Sequence, residues 1–391
     1  MMNVRELAEK YEPYIIERRR FYHTIPELSN EEFQTTAAIC DDLKQMGIEP
    51  VPFEGMTGLT ALIRGTQNGP TVALRADIDG LNTEEATGLP FASKNGKMHA
   101  CGHDAHIAMQ LGAAKILQDL RGELKGNVLL LFQPAEESAN GAADVLKTGV
   151  LKQADAIYGT HVWGMFDAPL IDVTPGYHMA ANFRFKVVIH GVAAHGSAPH
   201  LGKDALTAAC SAIMNLQMLA TRLNDATKPF VLTVGTIHGG TQYNSIADEV
   251  VFEGSVRHYR EDGDSVDAEI DQILRGTCAA LGVTYELECR HVTIPINNKH
   301  DDLNRIAHDA VVKLYGESAI GHLPAMMSSE DYSLFTRETP AIFTYIGSRN
   351  EAKGITASNH QNTYTVDEDI LKRGSALAAQ FALDYCAEKA A

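Results

Sequence analysis

Residues 127–137 read NVLLLFQPAEE, five apolar residues in a row closed by a proline and two adjacent carboxylates. A strand with one face in water alternates polar and apolar residues, so an uninterrupted run predicts a strand covered on both faces. Residues 156–164, AIYGTHVWG, have the same shape and carry His161 near their end. Two more strand-like runs lie upstream, LTALIRG from Leu59 and TVALRADID from Thr71, split by the turn formers Asn68, Gly69 and Pro70. Between them and the 127–137 run, Ile107, Leu111, Ala114 and Leu117 share one face of a helix expected from about Asp104 to Leu120. Strands alternating with helices predict an α/β fold, a mostly parallel sheet with helices on both faces. Ser29 followed by Glu32 reads as a capping box opening a helix through Phe33, Ala37, Cys40 and Leu43, stopped by Gly47.

From about residue 180 the rhythm changes. FRFKVVIHG alternates from Phe183, a helical stretch covers about Ala205 to Leu223, and VLTVGTIHGG and DEVVFEGSVRHY read as two strands. A second helix, about Val266 to Leu281, and the strand TYELECRHV complete a β-α-β-β-α-β order, the ferredoxin-like arrangement. This predicts an inserted α+β domain at residues 180–293, with 1–179 and 294–391 forming the sheet domain. After it, a helix from about Asp302 to Tyr315, a short one near Glu330, a strand at AIFTYIG and a last helix from about Glu368 restore the α/β character.

A chain of 391 residues exceeds what one hydrophobic core usually organises, which agrees with two domains. Hydrophobic residues at 45% and charged residues at 21% give ordinary globular composition. The formal net charge of -17 disfavours nucleic acid, whose binding needs clustered Lys and Arg. The one basic run, residues 18–20, reads as the solvated face of a helix. No stretch is apolar for long enough to span a bilayer and the first residues are charged, so no membrane association and a cytoplasmic location are expected. Six scattered cysteines lack the paired spacing of a disulfide framework.

Reactive side chains gather where the strands finish, as ligands do in open α/β sheets. Residues 99–106, HACGHDAH, place Cys101 and three histidines at the start of the long helix. A helix N-terminus is expected to favour the thiolate of Cys101, the form a metal needs. Glu136 and Glu137 are adjacent at a strand end and should diverge, one able to ligate a metal and the other to take a proton from water. An alternative is a thiol hydrolase with Cys101 as nucleophile and His103 or His161 as its base; another is a non-catalytic metal- or amino-acid-binding protein.

CGHDAH, FQPAEE, His161 in GTHVWG, HGSAPH and the late NHQNTY together resemble the amidohydrolase branch of the aminoacylase and carboxypeptidase G-like dinuclear metallopeptidases, over nearly the whole chain and in order. That branch includes hippurate hydrolases, indole-acetyl-amino-acid hydrolases and N-acetyl-diaminopimelate deacetylases. The resemblance implies hydrolysis of N-acyl amino acids by two divalent ions, with manganese, zinc, nickel or cobalt suited to such donors. It implies that Cys101 bridges the ions, that His103 and His161 lie on one side and Glu137 and His360 on the other, and that Glu136 is the general base. Asp79, in Asp77-Ile78-Asp79, would orient a ligand from behind, with His103 taking the place of the His that relatives carry in an HxD element. His195 resembles the histidine of the inserted lid domain that steadies the oxyanion, and Asn244 and Arg257 fall where the family grips the substrate's carboxylate. A dipeptidase activity and a homodimer through the inserted domain are also compatible. Asn82 and Asn362 stand where the family usually has proline, which leaves the ligands intact and bears on acyl-group choice. His190, His200 and His238 are read as structural or surface residues.

Overall fold

The computed structural model describes residues 2–260 and 265–390. The chain divides into two compact units, one made of residues up to Gly176, Asn297–Pro324 and the C-terminal stretch from Asp331, the other of Tyr177–Ile296 and Ala325–Glu330.

The first unit is built on a seven-stranded sheet in the order Pro50–Pro52, Leu59–Arg64, Asn127–Gln133, Thr71–Asp77, Ala156–Asp167, Ala341–Arg349, Ile171–Asp172. The four strands from Asn127–Gln133 to Ala341–Arg349 run parallel, and the outer ones pair antiparallel. Six consecutive residues of Asn127–Gln133 are buried and so are six of Thr71–Asp77. Both alternating sets of side chains are therefore covered, the condition the apolar runs predicted. The α/β expectation holds.

Two local readings are corrected. Helix Phe33–Gln45 is capped not by Ser29 but by Glu27, whose carboxylate accepts the Gln34 amide at 3.1 Å and the Thr35 amide at 2.8 Å. Ser29 Oγ instead donates to Asp79 Oδ2 at 2.6 Å, and Glu32 accepts from Thr57 Oγ1 at 2.5 Å and from the Ala135 amide at 2.8 Å. A capping box does exist, at Asn3 and Glu6, where it opens helix Val4–His23. The basic run on that helix is solvated only in part: Arg20 is exposed, but Arg19 is 1% exposed and its Nε lies 2.8 Å from Asp104 Oδ2. Burying one guanidinium is tolerable only because a carboxylate meets it.

The second unit holds a four-stranded antiparallel sheet in the order Phe230–Gly239, Glu249–His258, Ala181–His190, Thr284–Thr293. Helices Ala205–Leu216 and Ser265–Leu281 complete the ferredoxin-like order. Along Ala181–His190, Phe183, Phe185, Val187 and Ile189 are buried in one apolar cluster with those helices, whereas Arg184 and Lys186 are exposed on the other face. The first helix ends earlier than its apolar pattern implied, and Leu219–Leu223 forms a π turn. Ala325–Glu330 joins this unit, the Ala180 amide bonding to the carbonyls of Met326 and Ser328. Among the described residues no helix is long and apolar enough to cross a membrane.

Candidate metal centre

Five of the expected side chains converge in the first unit. Helix His103–Asp119 carries His103 at its head, and Gly102 before it adopts φ +95°. A Cβ there would lie 2.5 Å from Val162 Cγ2, so only glycine lets Cys101 and the helix meet strand Ala156–Asp167 this closely. Two site segments hold left-handed backbone without glycine: Ala135 at φ 57° and His360 at φ 69°. Conformations of this kind persist only where surrounding contacts impose them. The His360 amide donates to the Ala100 carbonyl at 2.7 Å, fastening the two loops.

Cys101 Sγ lies 3.5 Å from His161 Nε2 and 3.3 Å from His360 Nε2. Glu137 Oε1 lies 3.5 Å from His360 Nε2 and 3.9 Å from His103 Nε2. The far nitrogens of two rings are fixed from behind. His103 Nδ1 donates to Asp79, whose carbonyl is at 2.9 Å and Oδ1 at 3.2 Å, and His161 Nδ1 donates to the Val162 carbonyl at 2.7 Å. Each Nε2 is thereby turned into the cluster; against the effect of burial, Asp77, Asp79 and Glu137 raise His103 to about 10, so its Nε2 must shed a proton to ligate. His103 Nε2 and Glu137 Oε1 are buried without a hydrogen bond, an unusual state for polar atoms that a bound cation would satisfy. His360, with its side chain 57% exposed, is the open member.

The electrostatics agree. Burial pushes the Cys101 thiol well above its ordinary value, and the carboxylates of Glu137, Glu136 and Asp77 push it further. The helix start does not outweigh them, so the thiolate expected from the dipole alone does not form; a cation must supply that stabilisation. This also disfavours Cys101 as a free nucleophile. Burial raises Glu137 to about 7 against the opposing pull of His103. Burial and the neighbouring His106 hold His161 well below its usual range, neutral and ready to ligate. Sulfur, imidazole and carboxylate donors in one buried, anion-rich site fit divalent transition metals.

Glu136 turns elsewhere. It is 8% exposed, and its Oε1 accepts the Asp331 amide at 3.4 Å, while the Glu137 amide donates to Asp79 Oδ2 at 3.0 Å. The adjacent carboxylates diverge, as the strand end predicted.

Several supporting residues escaped the sequence reading. Asn359 Nδ2 donates to the carbonyls of Cys101 at 3.0 Å and Val162 at 3.2 Å, and its Oδ1 accepts the Gly164 amide at 2.8 Å. One side chain thus ties together the segments carrying Cys101, His161 and His360; its only signal was adjacency to His360. His106 looks like a ligand by type, yet Asp77 Oδ1 holds its Nδ1 at 2.5 Å and the Val162 amide donates to its Nε2 at 2.9 Å. Both nitrogens are occupied. Asp104 answers Arg19 and His23, and Asp77 answers Arg75 and His106, so both are structural acids.

His195, Asn244 and Arg257 belong to the second unit. His195 pairs with Ser245 across a two-stranded ladder, and the Gly196 amide bonds to the Asn244 carbonyl at 2.7 Å. Ser197 donates to His195 Nδ1 through its amide at 3.1 Å and hydroxyl at 2.7 Å, which leaves Nε2 as the proton-bearing atom. Arg257, on Glu249–His258, donates from Nη1 to Ser329 Oγ at 2.6 Å.

A parallel sheet bearing a thiol, three imidazoles and paired carboxylates at its strand ends defines a metal-dependent hydrolase. Residues 73–384 match peptidase family M20/M25/M40, and the chain belongs to that family. It is similar to thermostable carboxypeptidase 2 of Saccharolobus solfataricus, 34% identical over 97% of each chain. It is also similar to N-acetylcysteine deacetylase of Bacillus subtilis, 35% identical over 96% of this chain and 98% of the relative. The crystal structure of Bacillus subtilis YXEP, a dinuclear metal binding peptidase of the M20 family, superposes with a TM-score of 0.86 at 33% identity, covering 97% and 99% of the two chains. The protein is an amidohydrolase or peptidase of this kind.

Proposed function

We propose that the protein cleaves the amide bond of N-acyl amino acids, with two divalent ions held by Cys101, His103, Glu137, His161 and His360. The observation that carries this reading is the divergence of adjacent carboxylates: Glu137 enters the donor cluster and Glu136 does not. Cys101, within reach of two imidazoles, would help hold both ions, with His103 and His161 for one and Glu137 and His360 for the other. When bound, the ions would polarise the scissile carbonyl and lower the pKa of a bound water to roughly 7. Glu136 takes the water's proton and returns it to the leaving nitrogen, so one carboxyl group serves as base and then acid. Asp79 holds His103 in the ligating tautomer. His195, with its proton on Nε2, is the oxyanion donor, and Asn244 and Arg257 hold the substrate's carboxylate.

A deacetylase relative supports the acyl-amino-acid reading, and a carboxypeptidase relative supports a second one, cleavage of short peptides at the same centre. Manganese, zinc, nickel and cobalt all suit the donors. Free cysteines throughout the described residues fit a reducing, cytoplasmic setting. The exposed edge strand Phe230–Gly239, with Val231 and Ile237 open to solvent, offers a homodimer surface.

Glu136→Gln should keep both metals and lose turnover by a factor of about 10²–10⁴, whereas Glu137→Gln should lose metal as well. Metal content and kcat measured on the same samples decide it: full activity in Glu136→Gln removes the general base from the scheme.

A further inference from the structure

The loop 134–140, which carries Glu136 and Glu137, is held in a shape its own sequence does not favour. Ala135 and Ala139 take left-handed backbone, φ 57° and 55°, without the freedom of glycine. The loop closes tightly on itself: the Gly141 amide donates to the Ala135 carbonyl at 3.1 Å, and the Pro134 carbonyl oxygen leaves no room for a Cβ on Gly141. A backbone of this kind keeps its form only where contacts around it impose one.

One buried side chain, Asp331 at the head of the short helix Asp331–Arg337, meets the loop at three points. Just before the loop, Gln133 Nε2 donates to Asp331 Oδ1 at 2.7 Å. Just after it, the Ala142 amide donates to Asp331 Oδ2 at 2.9 Å. Between the two, the amide of Asp331 itself donates to Glu136 Oε1 at 3.4 Å. Arg75 braces the acid in turn. Its buried guanidinium places Nη2 3.4 Å from Asp331 Oδ1, while Nε donates to Gln133 Oε1 and Nη1 to Asp77 Oδ2, each at 2.8 Å. Hydrogen bonds to an ionised carboxylate are about twice as strong as neutral ones, which suits Asp331 to carry the closure. Glu137 has a separate anchor, its amide on Asp79 Oδ2.

We propose that Asp331 is the positioning residue of the general base: it clasps both ends of the loop and meets Glu136 between them, so that this carboxylate stays out of the donor cluster and available for proton transfer. This rests on the role proposed for Glu136. Asp331 acts through the loop and not on the reacting bond.

The test is a double-mutant cycle on the manganese-loaded enzyme with N-acetylcysteine as substrate. Asp331→Asn keeps the shape of the side chain, but its amide nitrogen cannot accept, so either Gln133 or the Ala142 amide loses its acceptor. It should lower kcat roughly tenfold or more with KM within about twofold, and should cost less than about twofold in the Glu136→Gln background, because residues that act as a unit are not additive. Manganese affinity should fall by less than about threefold, since Glu137 keeps its own anchor. Equal losses of kcat in the two backgrounds, or an affinity that falls as far as kcat, would mark a general distortion and overturn the proposal. Ala142→Pro removes the clasped N–H in the first turn of helix Gly141–Thr148, where proline is tolerated, and leaves the Arg75 and Asp331 pair in place. It should reproduce the loss, and it carries every measurement if Asp331→Asn does not fold. Hydrogen exchange needs no turnover: in metal-free and manganese-loaded protein alike, the amides of 135–142 should exchange about tenfold faster in Asp331→Asn, with strand Asn127–Gln133 unchanged. Unchanged exchange in the loop overturns the clasp whatever the kinetics show. Full activity in Glu136→Gln together with faster loop exchange in Asp331→Asn overturns only the reading of Glu136 as base.

Discussion

The five candidate donors were named from the family resemblance, with residue type and place near strand ends pointing to the same stretches, and the structure brings Cys101, His103, Glu137, His161 and His360 together. The residues that hold them were not legible, because their roles are set by backbone partners distant in sequence. Asn359 serves carbonyls near positions 101 and 162, and nothing in an asparagine announces that. Ser29 looked like a helix cap and is the hydroxyl behind Asp79. His106, a ligand-capable type in the same cluster to which the sequence reading assigned no role, is saturated by Asp77 and a backbone amide. Removing the supporting groups of a metal site typically weakens affinity 10–100-fold. Asn359→Ala should therefore lower metal affinity by roughly that factor, with kcat recovered at saturating metal. Competition against a chelator of known affinity measures it, and an unchanged affinity would show that the loops hold themselves.

At the scale of elements, strands buried on both faces and the long helix at residue 103 followed from their apolar patterns. Ends did not, because they depend on which partner wins a side chain: helix Phe33–Gln45 is capped by Glu27 rather than Ser29, and Phe33 is 69% exposed, although the pattern placed it on the inner face. Helix Val4–His23 is fixed by Arg19 to Asp104 on the long helix, a contact between residues 85 positions apart that no local pattern encodes. The junction of loop and long helix is equally exacting. Gly102→Ala should cost more than 1 kcal/mol, since it adds a Cβ both at positive φ and against Val162. Chemical denaturation of the metal-free protein reads this directly. A cost near zero would mean that the Ala156–Asp167 strand yields.

For the whole molecule, metal loading, protonation and stability are one equilibrium. In the metal-free protein at neutral pH Cys101, raised well above its ordinary value, and His103, raised to about 10, hold protons, and Glu137, raised to about 7, holds one part of the time. If these are the ligands all three must give up their protons, so loading should release protons and apparent metal affinity should rise with pH. Calorimetry at pH 7 in buffers of different ionisation enthalpy should report more than one proton released per chain. Chelation should also lower the melting midpoint, because an ion bound at a thousand times its Kd stabilises the folded state by about 4 kcal/mol. Proton release near zero would mean that the donors are already ionised.

His360 is the one donor on an exposed loop, held at positive φ through its amide bond to Ala100 and the Asn359 clamp, while Cys101, His103 and His161 sit in the packed interior. If two ions bind as proposed, the one held through His360 should be the first to exchange, and dilution into chelator should then remove activity before it lowers the melting midpoint.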